Sequence, residues 1–524
     1  MDPQLGATAN TKRAYLIPAC IQKYKCVLDQ IASVLSLNPS LSETKCFHII
    51  IVPKTMSTYD SILESKGLYD IVQLHSFSWE LFNLDDQLLS LELPFLYKQV
   101  FVEQNQSLLS SIAMSLWSLF HVTGQPKCIL SLGKVSSSVL DVLEVYKESY
   151  QRDFINVDKN QDFGSLIIMD RDQDYASSLL TPATYTGLLN EIFSINCGQL
   201  DLNVKETKIK KGKVNFTTEE KSDKKTVITL DSFTDTLYGE IKHRHFSEVL
   251  SVLSSKAKLL KNEDIKALGI QEMKDYVTTK LQQVTLFKHN LVNHVLACET
   301  IIAEMNNKFE NLTQTEYEHF GTDIHVYNSL RLMCLLSLTQ GLSYDEYNSL
   351  VSKYLLAFGY KFLYVFNNLI SAGLLVQPSS PKLSLNISHL SNLSERLPKW
   401  QTAFQNTANK LKQLPQNESE NSPGYVFNGS YIPLVAALCN TLLTSESLLE
   451  KIGMETLNEK LSNFDSKMNG GINIKPRTVL VYIIGGVTYA EIAACEVVQT
   501  ITNSKIFIAS DCVSSGSDVM AANV

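Results

Sequence analysis

Hydrophobic and polar positions along this chain follow two periods. Residues 479–484 (VLVYII) form an unbroken run of β-branched, aliphatic and aromatic side chains. Such a run predicts a strand buried on both faces of a parallel sheet. Gly485 and Gly486 follow it and let the backbone turn tightly without a Cβ clash. Thr488 and Glu491 then stand three apart at the start of a helical segment over 489–500, the spacing of a capping box. Residues 48–52, 71–74 and 166–169 read as further strands. Residues 60–66, 136–150 and 185–193 read as helices, and 88–93 and 95–101 as the start of a helical stretch continuing through 107–120. Strand–helix alternation predicts parallel sheets with right-handed crossovers.

From residue 232 to about 464 the strand signal nearly vanishes. Segments 246–260, 273–284, 286–308, 328–339, 345–358 and 362–372 carry apolar residues at helical spacing. The charge-dense stretch 204–226 reads as a solvated loop, and the Ser/Asn/Pro-rich tract 377–422 as loops around a helix at 399–414. The fold class expected is α/β, with two parallel-sheet α/β domains and a large inserted helical domain. The N-terminal α/β domain takes 1–120, the split central α/β domain 121–231 and 475–524, and the inserted mainly helical domain 232–474. The insertion follows from the strand at 479–484, which needs a parallel sheet to join. Its expected neighbour is 166–169, about 300 residues upstream.

Composition narrows the function. A net charge of −8 argues against a broad nucleic-acid surface, which would be basic. No apolar run approaches the ~18 residues of a membrane span, and the first twenty residues lack the pattern of a signal peptide. The 10 cysteines are dispersed without a C-x-x-C, the usage of a reduced, cytosolic protein.

Candidate chemistry is sparse. Asp170, Asp172 and Asp174 alternate, but an EF-hand loop needs Gly and Glu where this chain has Tyr175 and Thr181. Capping of backbone N–H groups and pairing with Arg171 is the expected use. His243 and His245 flank Arg244, and His289 and His294 are five apart, which spaces them poorly on one helix face. Gly133-Lys134 is followed by Val135 and lacks the upstream glycine of a P-loop; the Gly485-Gly486 corner lacks the third glycine of a dinucleotide fingerprint. No catalytic residue, cofactor or metal is expected, and the chain does not read as an enzyme. The rival from another class is an α/β enzyme holding a nucleotide at the glycine corner. One surface feature remains. Tyr354, Phe358, Tyr360, Phe362, Tyr364 and Phe366 crowd one short segment, and Gly359 interrupts its helical pattern. Phe358 and Phe366 are expected in the core, and Tyr360 and Leu363 at an exposed corner, where aromatic anchors serve interfaces.

Four of these segments together resemble the SM (Sec/Munc) family of SNARE-binding proteins of vesicle fusion. They are IIGGVTYAEIAA at 483–494, LIIMDRDQDYASSLLTPATYTGLLNEIF at 166–193, SLRLMCLLSLTQGL with FGYKFLYVFNNLISAGLL between 329 and 375, and YVFNGSYIPL at 425–434. Their wording is similar to the vacuolar-sorting branch, and to its B-type paralogue. The resemblance covers roughly residues 40 to 515. It implies an SM-type arch in three parts: a small first domain, a split α/β domain and a helical domain. It implies partner binding at Tyr360 and Leu363 by a class C vacuolar-sorting tether subunit of the B type. SNARE proteins of the syntaxin type and endosomal Rab GTPases are the other implied partners. Implied too is peripheral attachment, through partners, to late endosome, lysosome or recycling endosome membranes. A scaffold that binds the tether alone is the nearer alternative. The chain departs from the family in having Ala494-Cys495-Glu496 after the glycine corner and Leu180 before Thr181-Pro182, and it looks short at its front.

Overall fold

A computed structural model describes residues 12–18, 20–37, 47–52, 55, 57–77, 81–126, 128–149, 162–193, 195–201, 227–262, 281–312, 326–378, 408, 411–414, 422–444 and 477–524. The chain divides into two compact units, Met1–Phe82 and Asn83–Val524. The expected segments 204–226 and 273–280, and most of 377–422, lie outside the described residues.

The first unit is a three-stranded parallel sheet in the order β1 (Arg13–Pro18), β2 (Phe47–Val52), β3 (Val72–Ser76). Helices α1 (Ile21–Leu37) and α2 (Ser57–Ser65) connect the strands. Phe47, Ile49 and Ile51 are buried, while His48, Ile50 and Val52 between them are only half-buried. Strand side chains alternate between faces, so one face carries the core with Tyr24, Val27, Leu28 and Ile31 of α1.

The second unit is built on a six-stranded sheet in the order β4 (Phe82–Asp85), β5 (Leu88–Ser90), β11 (Lys505–Ser510), β10 (Thr478–Ile484), β7 (Ser165–Asp170), β6 (Cys128–Leu132). The glycine-corner strand β10 pairs in parallel with β7, from Val479↔Ser165 to Ile484↔Asp170, and with β11 on its other side. The pairing expected from the sequence is present. Every residue of β7 is buried, as are Val479 to Ile484, because helices cover both faces. Val481, Ile483 and Met169 pack against α13 (Leu434–Thr444) and α14 (Tyr489–Thr502).

Two expectations are corrected. Residues 88–93 do not begin a helix: Leu88–Ser90 is a strand in parallel register with Ile508–Ser510, entered through a left-handed turn at Gln87 (φ 61°). A three-residue strand shows no period of its own, and its partner lies about four hundred residues downstream. Residues 83–90 therefore fall in the second unit, not with the first domain expected to run to residue 120.

Around this sheet stand α3 (Leu109–Thr123), α4 (Lys134–Ser149), α5 (Tyr175–Leu179) and α6 (Tyr185–Phe193), with a two-stranded ribbon β8 (Gln199–Asp201) and β9 (Val227–Thr229). The helical stretch supplies α7 (Thr236–Ile241), α8 (Phe246–Asn262), α9 (Leu281–Leu312), α10 (Val326–Thr339), α11 (Tyr344–Phe358) and α12 (Leu363–Ser371). The last element is α15 (Gly516–Asn523). Polar contacts dock these helices. His294 of α9 is fully buried between Tyr185 Oη (2.8 Å) and Asp235 Oδ2 (3.0 Å), and Asp235 also accepts from the first N–H groups of α7. Arg331 of α10 donates to the Leu179 carbonyl and pairs with Glu191 of α6.

One buried ion pair ties the sheet to its surroundings. Arg171, just past β7, has no exposed surface and grips Glu491 with both guanidinium branches, at 2.7 and 2.9 Å. It also donates to the Gly486 carbonyl (3.1 Å). Glu491 meanwhile accepts from Thr488 N–H (2.9 Å) and completes the capping box of α14. Removing one member of a buried pair leaves an uncompensated charge, which typically costs about 3–5 kcal/mol. Glu491→Ala should therefore lower Tm and soluble yield sharply. An Arg171→Met, Glu491→Leu double variant should lose less than the two single losses combined, as thermal melting of all four proteins would report.

Candidate functional site

The positions that hinted at phosphate chemistry are filled by the protein's own carboxylates. Gly133 has φ 112°, and α4 starts directly after it. The first free N–H groups of that helix, Val135 (2.8 Å) and Ser136 (2.7 Å), donate to Asp170 at the end of β7. At the glycine corner, φ is 99° at Gly485 and 96° at Gly486. A Cβ on Gly485 would sit 2.7 Å from Phe101 and 2.8 Å from Arg171. Asp511, at the end of β11, accepts from Gly485 N–H and from Tyr482 Oη (2.9 Å). At α4 the fixed Asp170 carboxylate takes the place an anionic ligand would need at a helix N-terminus.

The other titratable candidates do not converge. Asp174 turns away from Asp170, capping α5 through Ser177 N–H (3.0 Å) and accepting from Tyr431 Oη (2.9 Å) and Leu434 N–H (2.8 Å). Asp172 is exposed and accepts from the Gln173 amide. The Nε2 of His243 lies 3.2 Å from Glu496 Oε2, and burial lowers its pKa to about 3. A neutral ring therefore donates there. His245 contacts Asn428 (2.8 Å), and His289 is exposed.

Burial pushes the Asp511 carboxyl up to about 7. Burial, with the nearby Asp172 charge, does the same for Asp170. The ordinary value of both is near 4, so the folded state binds more protons than the unfolded one between those limits, and stability is lost as pH rises through about 7. His243 works in the opposite sense, but only up to its unfolded pKa of about 6.5. Above pH 6.5 the carboxyl effect is no longer opposed by His243. Tm should fall from there to about pH 8, and Asp511→Asn should flatten the fall in a thermal-melt series.

The exposed corner lies between α11 and α12. A capping box, Ser343 with Glu346, opens α11. Gly359 closes it at φ 101°, with nothing within 4 Å of where its Cβ would stand, so the backbone angle alone asks for glycine there. A 3-10 turn, Tyr360–Phe362, leads into α12. Tyr354 is the internal anchor: its ring centroid lies 4.8 Å from Phe358, 6.0 Å from Phe362 and 5.5 Å from Phe366. Phe366 is buried and Phe358 half-buried. On the outside, Tyr360 is 70% exposed and Leu363 57%. Leu356 (74%) and Tyr364 (52%), on the helices either side, are exposed too. Leu356 stands on the last turn of α11, and sequence reasoning passed over it.

Helix α12 is held at both ends. Tyr364 Oη donates to the Val524 backbone oxygen (2.6 Å) and the Asn368 amide to that of Asn523 (2.9 Å). The Ala372 carbonyl accepts from buried Tyr175 Oη (2.6 Å). A corner fixed in this way presents its apolar side chains with little ordering left to lose on binding.

A second exposed apolar set was missed by sequence reasoning. Helix α9 buries Leu291, Ala297, Cys298 and Ile301, yet also exposes Leu286, Val292, Leu296 and Ile302. Its readable signal was apolar residues on both helix faces.

Residues 4–522 match the Sec1 family. The chain belongs to the Sec1 family. It is 28% identical over 529 residues to vacuolar protein sorting-associated protein 33B of Mus musculus, covering 93% of this chain and 82% of that protein. With vacuolar protein sorting-associated protein 33A of Rattus norvegicus it shares 26% over 509 residues, covering 89% and 79%. Its fold is similar to the SM protein Vps45 solved in complex with the Qa SNARE Tlg2. The TM-score is 0.64 at 13% identity, covering 99% of this chain and 88% of that one. This Sec1 family chain thus has the SM fold, a mixed α/β architecture with parallel sheets and many helices.

Proposed function

We propose that this chain is an SM-type regulator of SNARE-mediated membrane fusion that acts with a tether subunit in vesicle-mediated protein transport to late endosomes and lysosomes. The observation that carries the reading is the corner of Leu356, Tyr360, Leu363 and Tyr364, an exposed apolar set on braced helices. Family membership and the similarity to vacuolar sorting proteins support it. The tether subunit, a class C vacuolar-sorting protein of the B type, binds at this corner with Tyr360 and Leu363 as anchors.

The second surface serves SNARE helices of the syntaxin type. SNARE motifs are disordered alone and lose ordering entropy when they zipper. Val292 and Leu296, one turn apart on helix α9 and both exposed, offer an apolar contact that can hold an amphipathic helix before it pairs. This role needs no covalent step, cofactor or nucleic acid. The chain is read in three parts, with 232–474 inserted between the halves of a central α/β domain. Among the described residues no helix is long and apolar enough to cross a membrane. Attachment is read as peripheral, through the partners, with endosomal Rab GTPases as further candidates.

Replacing Tyr360 or Leu363 with Asp buries an unpaired carboxylate in the complex and removes a hot spot. The cost is about 2 kcal/mol or more, a loss of more than tenfold in affinity. Co-purification with the tether subunit should fail while circular dichroism and Tm of the free variant stay unchanged. Unfolding of the variant would make these residues core. A folded variant that still co-purifies would move the site elsewhere. Leu296→Asp should spare the tether subunit and weaken capture of a syntaxin-type SNARE motif.

A further inference from the structure

The parallel sheet of the first unit carries its core on one face. On the opposite face stand Ala14 and Leu16 of β1, His48 and Ile50 of β2, and Gln73 and His75 of β3, as the registers Ala14↔His48↔Gln73 and Leu16↔Ile50↔His75 require. His48 and His75 are diagonal neighbours there, one half-buried and one exposed. Their rings lie 5.3 Å apart at 27°, and His48 Nδ1 is 3.1 Å from His75 Nε2. Two ring nitrogens therefore face each other on this sheet face.

We propose that His48 and His75 form a two-histidine binding site for a divalent d-block cation of the zinc or nickel type. Metal–nitrogen bonds of ~2.0–2.1 Å hold two ligands roughly 2.9 Å apart at a right angle and roughly 3.3 Å apart in a tetrahedron. The separation of 3.1 Å falls between these values, and the rings would have to pivot to turn both lone pairs toward one ion. Imidazole suits zinc, nickel and copper, whereas magnesium and calcium prefer oxygen. In the metal-free pair one ring donates its N–H to the other. On metal binding that ring takes its other tautomer, moving the proton to its far nitrogen through solvent, and both facing nitrogens present lone pairs. No net proton is released from neutral rings. Among the described residues no group of three or more His, Cys, Asp or Glu side chains is placed to hold a metal. The remaining coordination positions of this site belong to water or to a donor on another molecule. An incompletely ligated ion on an exposed face is thus a point at which a second protein can be bridged.

Isothermal titration of the full chain with zinc chloride, and separately with nickel chloride, tests the site at pH 7.5. One equivalent should bind. His48→Gln and His75→Gln should each weaken binding tenfold or more, since loss of even an outer-shell partner typically costs about 10–100-fold. The double variant sets the background from thiols such as Cys20, Cys26 and Cys197. Circular dichroism should show every variant folded. Absence of binding at pH 7.5, or binding equal in wild type and in the double variant, would overturn the proposal. Neither result bears on the tether or SNARE surfaces.

Discussion

The pairing of Arg171 with Glu491 is the constraint on which the second unit depends. Both side chains are fully buried, and the charges are tolerable because Glu491 and the Gly486 and Asp174 carbonyls meet both terminal nitrogens of the guanidinium. Glu491 serves two masters: it neutralises the guanidinium and closes the cap of α14 through Thr488. Arg171 in turn fixes the Gly486 carbonyl and so the turn between β10 and α14. Asp174, three residues on, reaches Tyr431 and the start of α13. One short stretch after β7 therefore sets where a strand, two helices and the glycine corner meet. Such buried pairs contribute little net stability against apolar replacements, and their worth lies in the arrangement they permit.

That arrangement explains why a strand–glycine–helix sequence here is architecture. A phosphate at either turn would meet a carboxylate already hydrogen-bonded to the N–H groups it needs, Asp170 at α4 and Asp511 at the glycine corner. Both carboxyls are buried, and their upward shift records the desolvation each endures. The parts of a nucleotide-binding unit are present with their anion supplied internally. Surface apolar residues on rigid helices are what is left to carry function. Tyr354 gathers the inner aromatics, while Tyr360, Leu363 and Tyr364 stay exposed. Tyr175 links the same helix back to the sheet, and through it the corner inherits the rigidity of the core.

Much of this was legible in the sequence. The run VLVYII had to be a strand buried on both faces because nothing in it tolerates water. Thr488 and Glu491 announced their helix by spacing alone. Gly359 marked the corner because a residue that breaks a helical period in an aromatic run must turn the chain. These are local signals: each depends on side-chain chemistry within a few residues. The match of β10 to β7 was also within reach, since a strand so apolar needs an equally apolar neighbour.

Other features depended on contacts between residues distant in sequence. Leu88–Ser90 looked helical because a three-residue strand has no measurable period, and only β11, far downstream, makes it a strand. Asp170, Asp172 and Asp174 share a spacing that suggests a common ligand, yet the end of β7 sends Asp170 to α4 and Asp174 to Tyr431. The exposure of Leu356, and of Val292 and Leu296 on α9, was decided by which helix face found a partner. His48 and His75 sit 27 residues apart and met only when two strands adopted one register. The sequence by itself determined the longer elements and their turns, because propensity, capping and backbone freedom act over a few residues. The tertiary structure alone decided which carboxylate fills which cradle and which apolar side chains face solvent, because burial belongs to pairs of surfaces.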